Sequence, residues 1–312
     1  MPTTSKDGRP TVEPTNIRLA LRLVRKSHGT SPVVAFGPLA LKSARGEMIR
    51  AGNCRGEINR RVGQIVRMFE WGVSEELVPP GIYEALRTVA GLRKGRSQVE
   101  EKPPIGPVAE ADVEAVWDHV SRQVLAMIQL QRTTGMRPGE VVIMRPGDLD
   151  RDGDIWVYTP SRHKTEHHGK TRQVFIGPKC QEILRPWLEA GGGPYIFSPS
   201  EAMKERRELL RARRKSRVQP SQRDRSGEQP KKTPGVRYTV ASDRKAIQAD
   251  CSKVGVARWH SYQLRHPAAT EIRKRSGIEA SRVILGHEDL RATRIYAEAD
   301  RDRSVEIMRQ IG

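Results

Sequence analysis

The chain has little cysteine. Cys54, Cys180 and Cys251 are scattered through 312 residues, odd in number and without CxxC spacing. That argues against a disulfide framework or a zinc module, and it fits a reducing cytoplasm. There is no apolar run of membrane-spanning length, and the opening "MPTTSKDGRPTVEPTN" lacks the apolar core of a signal peptide. Acidic residues are also scarce: 37 Asp and Glu face 56 Lys and Arg, a net charge of +19. With a membrane disfavoured, a surplus of that size points to nucleic acid as the polyanionic partner.

Helical patterning dominates what is present. "NIRLALRLVRKS" spaces its apolar residues as one helix, and "FGPLALKSARGEMIRAG" places Pro at a start and Gly at an end. "RGEINRRVGQIVRMFEWGV" carries Ile58, Val62, Ile65, Val66 and Phe69 on one stripe, with Arg55, Arg60, Arg61 and Arg67 on the other face. "PPGIYEALRTVAGL" reads as a further short helix. These segments predict a small, basic, all-helical domain over residues 14–95. The proline-bearing stretch 96–107 then reads as a linker.

From residue 108 to 312 the pattern is mixed. "AEADVEAVWDHVSRQVLAMIQLQRTTG" predicts helix, "GDIWVYTP" and "TRQVFIGP" predict strands, and the later segments are helical again. The fold class expected is mainly α with a small antiparallel sheet in the second domain. Residues 200–237 form a basic insertion whose first half extends a helix and whose second half reads as a loop.

Four stations carry chemistry. In "TTGMRPGEV", Gly135 permits a turn, Pro138 suits a first helical turn, and Arg137 sits at the junction, with Glu140 placed to hold it. The turn between the two strands carries Lys164 and Lys170 beside His163, His167 and His168. No carboxylate or thiolate is spaced to complete a metal site with these histidines, so no metal is expected. "RWHSYQLRHPAATEIRKRSG" brings His260, Tyr262, Arg265 and His266 together. In "VILGHEDLRATRIYAEAD", His287 follows Gly286 and Tyr296 lies nine residues beyond it.

In this order, Arg137, Lys164, Arg265, His287 and Tyr296 resemble the tyrosine recombinase (phage integrase) family, over nearly the whole chain. The resemblance implies a two-domain DNA clamp, with residues 14–95 as core-binding domain and 108–312 as catalytic domain. It implies a site of Arg137, Lys164, Tyr262, Arg265, His287 and Tyr296, without cofactor or small-molecule substrate. It also implies double-stranded DNA as partner, a homotetramer on two DNA sites, a cytoplasmic, nucleoid-associated location and an origin in a bacterial mobile element. The chemistry is coherent: a tyrosine hydroxyl conserves the phosphodiester bond as a phosphotyrosyl link, and arginine forks match the phosphate oxygens.

Two positions depart from the family. Tyr262 stands where it places a histidine three residues before the arginine, with His260 upstream as the alternative. Pro267 stands where it commonly has threonine. In a helix begun near Ser261, Pro267 would remove a hydrogen bond at a cost of about 3 kcal/mol. The alternatives carried forward are a catalytically impaired DNA-binding relative and a nicking-closing topoisomerase of type IB.

Overall fold

The computed structural model describes residues 5–6, 9–10, 12–162, 171–191, 193–217, 219 and 233–286. The chain forms two compact units, Met1–Pro104 and Ile105–Gly312.

The first unit opens with a two-residue antiparallel pair, β1 (Ser5–Lys6) and β2 (Arg9–Pro10), followed by four helices. These are α1 (Glu13–His28), α2 (Pro38–Arg50), α3 (Arg55–Ser74) and α4 (Pro80–Arg87). Prolines occupy the first turns of α1, α2 and α4, where a missing N–H costs nothing. The core is built on α3, whose Ile58, Val62, Ile65 and Phe69 are buried at helical spacing. Phe36 stacks on Phe69 with ring centroids 5.1 Å apart. Asn59 then pins the chain beyond α4: its Nδ2 donates to the Leu92 carbonyl at 2.9 Å and its Oδ1 accepts from the Leu92 N–H at 2.8 Å.

The arginines of α3 are not a bare basic face. Arg60 and Arg61 both pair with Glu57, at 2.8 and 2.6 Å, Arg67 pairs with Glu13 at 3.0 Å, and Arg55 pairs with Glu101. Such partly exposed pairs contribute little stability, but they do offset charge.

The second unit begins with α5 (Glu110–Glu114) and α6 (Arg122–Thr134). The sequence pattern predicts one helix here; the chain breaks instead at Ser121, whose Oγ accepts from the Val124 N–H at 3.3 Å and starts α6 afresh. After α7 (Pro138–Val141) comes an antiparallel sheet in the order β3 (Leu149–Asp150), β4 (Trp156–Tyr158), β5 (Val174–Ile176). Trp156 opposes Ile176 and Tyr158 opposes Val174, so one face buries all four residues while Phe175 points outward. The predicted strands are therefore present, and β3 joins them.

Helices α8 (Pro178–Ala190), α9 (Pro199–Ala212), α10 (Val240–Val254) and α11 (Arg265–Leu285) follow among the described residues. α9 is the helical first half of the basic insertion; most of its second half lies outside the described residues. α6 is the central helix, with Val124, Met127, Ile128 and Leu130 at or below 1% exposure, and α8, α10 and α11 pack around it. Among the described residues no helix is long and apolar enough to cross a membrane.

Because Ile65 is fully buried at the centre of α3 while Leu39 is 80% exposed on α2, their truncations should separate cleanly. Ile65→Ala is expected to cost about 2–5 kcal/mol in chemical denaturation. Leu39→Ala should stay within about 0.5 kcal/mol of the parent.

Candidate active site

The "TTGMRPGE" turn is shaped by local rules. α6 ends at Gly135, left-handed at φ 64°, whose N–H donates to the Gln131 carbonyl at 2.8 Å. Met136 plugs into the core, fully buried. Arg137 is then the extended N-cap of α7, Pro138 its first residue and Glu140 its third. Glu140 reaches back in the manner of a capping box: Oε2 accepts from the Arg137 N–H and Oε1 from Arg137 Nη1, each at 2.8 Å. The backbone and the guanidinium of Arg137 are thus fixed by one carboxylate, itself 2% exposed.

The third station is pinned at several points. Trp259, buried, donates from Nε1 to the Asp112 carbonyl at 3.2 Å. Ser261 Oγ donates to Asp243 on α10, and Gln263 Nε2 donates to the Gly106 carbonyl at 3.1 Å. Ser261–Leu264 form a 3-10 turn that passes directly into α11. Pro267 is consequently the third residue of α11 and lies in its first turn, where an N–H has no intrahelical partner. The hydrogen bond that a helix begun at Ser261 would lose is not lost, and the helix breaks instead at Gly277 (φ 79°).

Arg265, the first residue of α11, is 2% exposed. Its Nη1 donates to the Gly135 carbonyl and its Nη2 to the Leu285 carbonyl, the latter at 2.7 Å. One guanidinium therefore ties the turn before Arg137 to the end of α11, the segment that leads into His287. Tyr262 lies on the 3-10 turn, 49% exposed. His260 is the N-cap of that turn, and its N–H donates to Gln263 Oε1 at 3.1 Å. Burial holds the His260 imidazole below its ordinary range, with the Arg244 charge adding to this. His266 is lowered in the same way by burial and by Arg265. Lys164, His287 and Tyr296 lie outside the described residues, as do His163, His167, His168 and Lys170.

The sequence reading missed Arg172. It precedes β5 on the same face as Val174 and Ile176, and it is 6% exposed. Its Nη1 donates to the Ile284 carbonyl at 3.0 Å, and its Nε lies 3.7 Å from Glu140 Oε1. Burial lowers its proton affinity, the Arg137 charge adds to this, and Glu140 opposes it. The signal was the two-residue period: Arg172, Val174 and Ile176 alternate with Thr171, Gln173 and Phe175, which places a charge on the inward face. Arg172 also accounts for the glycine of "LGH". A Cβ on Gly286 would lie 2.7 Å from Arg172 Nη1, and its φ is 63°.

Arg137, Arg172 and Arg265 therefore converge on one turn and one helix end, with Glu140 as the carboxylate that faces the first two. Such a cluster attracts an anion presenting several oxygens.

The profile of the phage integrase family matches residues 108–303, which contain every station of the site. The chain belongs to the phage integrase family. Its fold is that of the tyrosine recombinases. Lambda integrase, solved as a dimer bound to a COC' core site, superposes with a TM-score of 0.66 at 12% identity, covering 95% of this chain and 92% of that one. The Tn1549 transposon integrase in complex with transposon right-end DNA gives 0.66 at 12% identity, covering 98% and 95%. The XerH site-specific recombinase, bound to a palindromic difH substrate, gives 0.63 at 16% identity, covering 94% and 78%. No curated protein matches the chain in sequence.

In this integrase-family chain, Asp243 is the buried support of the Arg265 station. It is fully buried, and burial pushes its carboxyl up to about 6 against the pull of the Ser261 hydrogen bond. A carboxyl raised in the folded state contributes stability that is complete below its unfolded value and is lost as pH rises through 6. The stability difference between the parent and Asp243→Asn should therefore shift against the parent by on the order of 2–3 kcal/mol between pH 4 and pH 7. Denaturation of both proteins across that range measures it. A pH-independent difference would contradict the assignment.

Proposed function

We propose that this chain is a tyrosine-type site-specific recombinase of a bacterial mobile element, which cuts and rejoins DNA through a 3′-phosphotyrosyl intermediate. The observation that carries the reading is the tie made by Arg265: one buried guanidinium holds the carbonyl two residues before Arg137 and the carbonyl two residues before His287. The turn that carries Arg137 and the helix end at Leu285 are thereby joined, inside the segment that matches the family, which supports the reading.

In this reading Tyr296 Oη attacks the phosphorus, the P–O5′ bond breaks, and the departing 5′ oxygen takes a proton from Lys164. Arg137, Arg265 and His287 donate to the non-bridging oxygens, each preorganised donor typically contributing about 10²–10³ in rate. Tyr262, exposed beside Arg265, serves as a further donor in the place of the family's histidine. Rejoining reverses the step: a DNA 5′ hydroxyl attacks the phosphotyrosyl phosphorus and Tyr296 leaves. The arginines supply the positive charge, so the chemistry requires no metal or cofactor.

The first unit acts as the core-binding domain, and two units on each half-site clamp the duplex, four chains assembling on two sites. α9 and the residues after it add phosphate contacts, since Arg206, Arg207, Arg211, Arg213 and Arg214 are all exposed. Binding should fall steeply with salt. A second reading, an impaired DNA-binding relative, draws on Tyr262 and on the commitment of both Arg265 Nη atoms to main-chain carbonyls.

The test is a trapping assay on a nicked duplex that the protein binds, resolved on a denaturing gel in the presence of a chelator. The parent should form a covalent protein–DNA band and Tyr296→Phe should form none. Binding without a band in the parent would favour the impaired relative.

A further inference from the structure

Arg172 is a buried cation with unused capacity. Its Nε and Nη2 have no hydrogen-bond partner among the described residues, although both atoms are buried. Buried donors left unmade are costly, and each such group calls for an explanation. For Nε a partner lies 3.7 Å away, at Glu140 Oε1, which at present serves Arg137 Nη1 at 2.8 Å. Two guanidiniums therefore compete for one carboxylate oxygen, and one of them is just beyond hydrogen-bond reach.

We propose that Arg172 is a positioning residue that takes over Glu140 when Arg137 turns to the substrate phosphate; this rests on the recombinase reading. The sequence of contacts is simple. An incoming phosphate draws the Arg137 guanidinium away from Oε1. Glu140 is 2% exposed, so an abandoned oxygen would be left charged and unpaired in the interior. A shift of less than about 1 Å closes Oε1 onto Arg172 Nε at ordinary hydrogen-bond length. Oε2 meanwhile keeps the Arg137 N–H, so the backbone that aims Arg137 does not move. Arg172 itself is held by its Nη1 bond to the Ile284 carbonyl and by close packing against Gly286. No covalent bond is made or broken and no proton moves; the carboxylate exchanges one hydrogen-bond donor for another. Arg137 can then leave its resting ion pair without stranding a buried charge.

A double-mutant cycle on single-turnover cleavage of the nicked duplex tests this, with DNA binding and melting temperature measured on the same proteins. Formation of the Tyr296-dependent band by the parent establishes the recombinase reading first, and its absence would overturn that reading and the inference built on it. Given the band, Arg172→Gln is expected to slow cleavage by about 10²-fold while leaving DNA affinity within about threefold of the parent. In the Glu140→Gln background, with no charge left to strand, the same substitution should cost less than about threefold. Cleavage by Arg172→Gln at the parental rate would overturn the proposal. So would a loss that persists undiminished beside Glu140→Gln, since that is the signature of a packing role. If Arg172→Gln melts below the assay temperature, Arg172→Lys carries the test, because it keeps the charge and removes the fork. A folded Arg172→Lys protein slowed by about tenfold supports the handover, and one at the parental rate refutes it.

Discussion

The site depends on how the last turn of α11 is closed. A helix leaves its final carbonyls without intrahelical partners, and its C-terminus carries partial negative charge. In this chain the carbonyls of Ile284 and Leu285 are taken by Arg172 and Arg265, two buried guanidiniums from distant parts of the sequence. The same Arg265 also holds the Gly135 carbonyl. Helix end, sheet entry and the turn that aims Arg137 are thereby locked to one another. Only glycine at 286 allows this approach, because a side chain there would collide with Arg172.

That closure concentrates positive charge where a protein interior ordinarily tolerates little. Glu140 offsets part of it, and its position is set by an everyday device, a carboxylate at the third residue of a helix returning to the N-cap. Lysine would serve poorly at any of these arginine positions. A single ammonium lacks the planar fork that lets one side chain hold a carbonyl in one direction and a carboxylate or phosphate in another.

What was legible in the sequence followed how local its causes were. The Gly135 turn, Arg137 at the junction and the grip of Glu140 are all set within six residues and were readable. The strands around Trp156 and Val174 showed through their alternation and their β-forming residues. Reading failed where the cause was remote or subtle. The carboxylates that pair with Arg67 and Arg55, Glu13 and Glu101, lie far along the chain and could not be read from α3 itself. Pro267 looked disruptive because the helix was taken to begin at Ser261; four residues of 3-10 turn move the start and place the proline where it is harmless. Arg172 betrayed itself only by its place in a two-residue alternation, and its partners, at Glu140 and Ile284, could not be read from the strand itself.

The separation of charges by depth bears on how such a protein engages DNA. The exposed arginines of α9 and the chain after it are free to follow a phosphate backbone whatever its sequence, as long-range, salt-sensitive attraction requires. The arginines of the site are of another kind. Arg172 and Arg265 each bond to carbonyls of the chain itself, and of the three only Arg137, at 17% exposure, is partly open to solvent. The buried pair ties the turn to the helix end, and Arg137 is the most open of the three. In the proposed recombinase, a phosphate would meet an arginine whose backbone and guanidinium are both held by Glu140, with Arg172 Nε 3.7 Å from the same carboxylate oxygen.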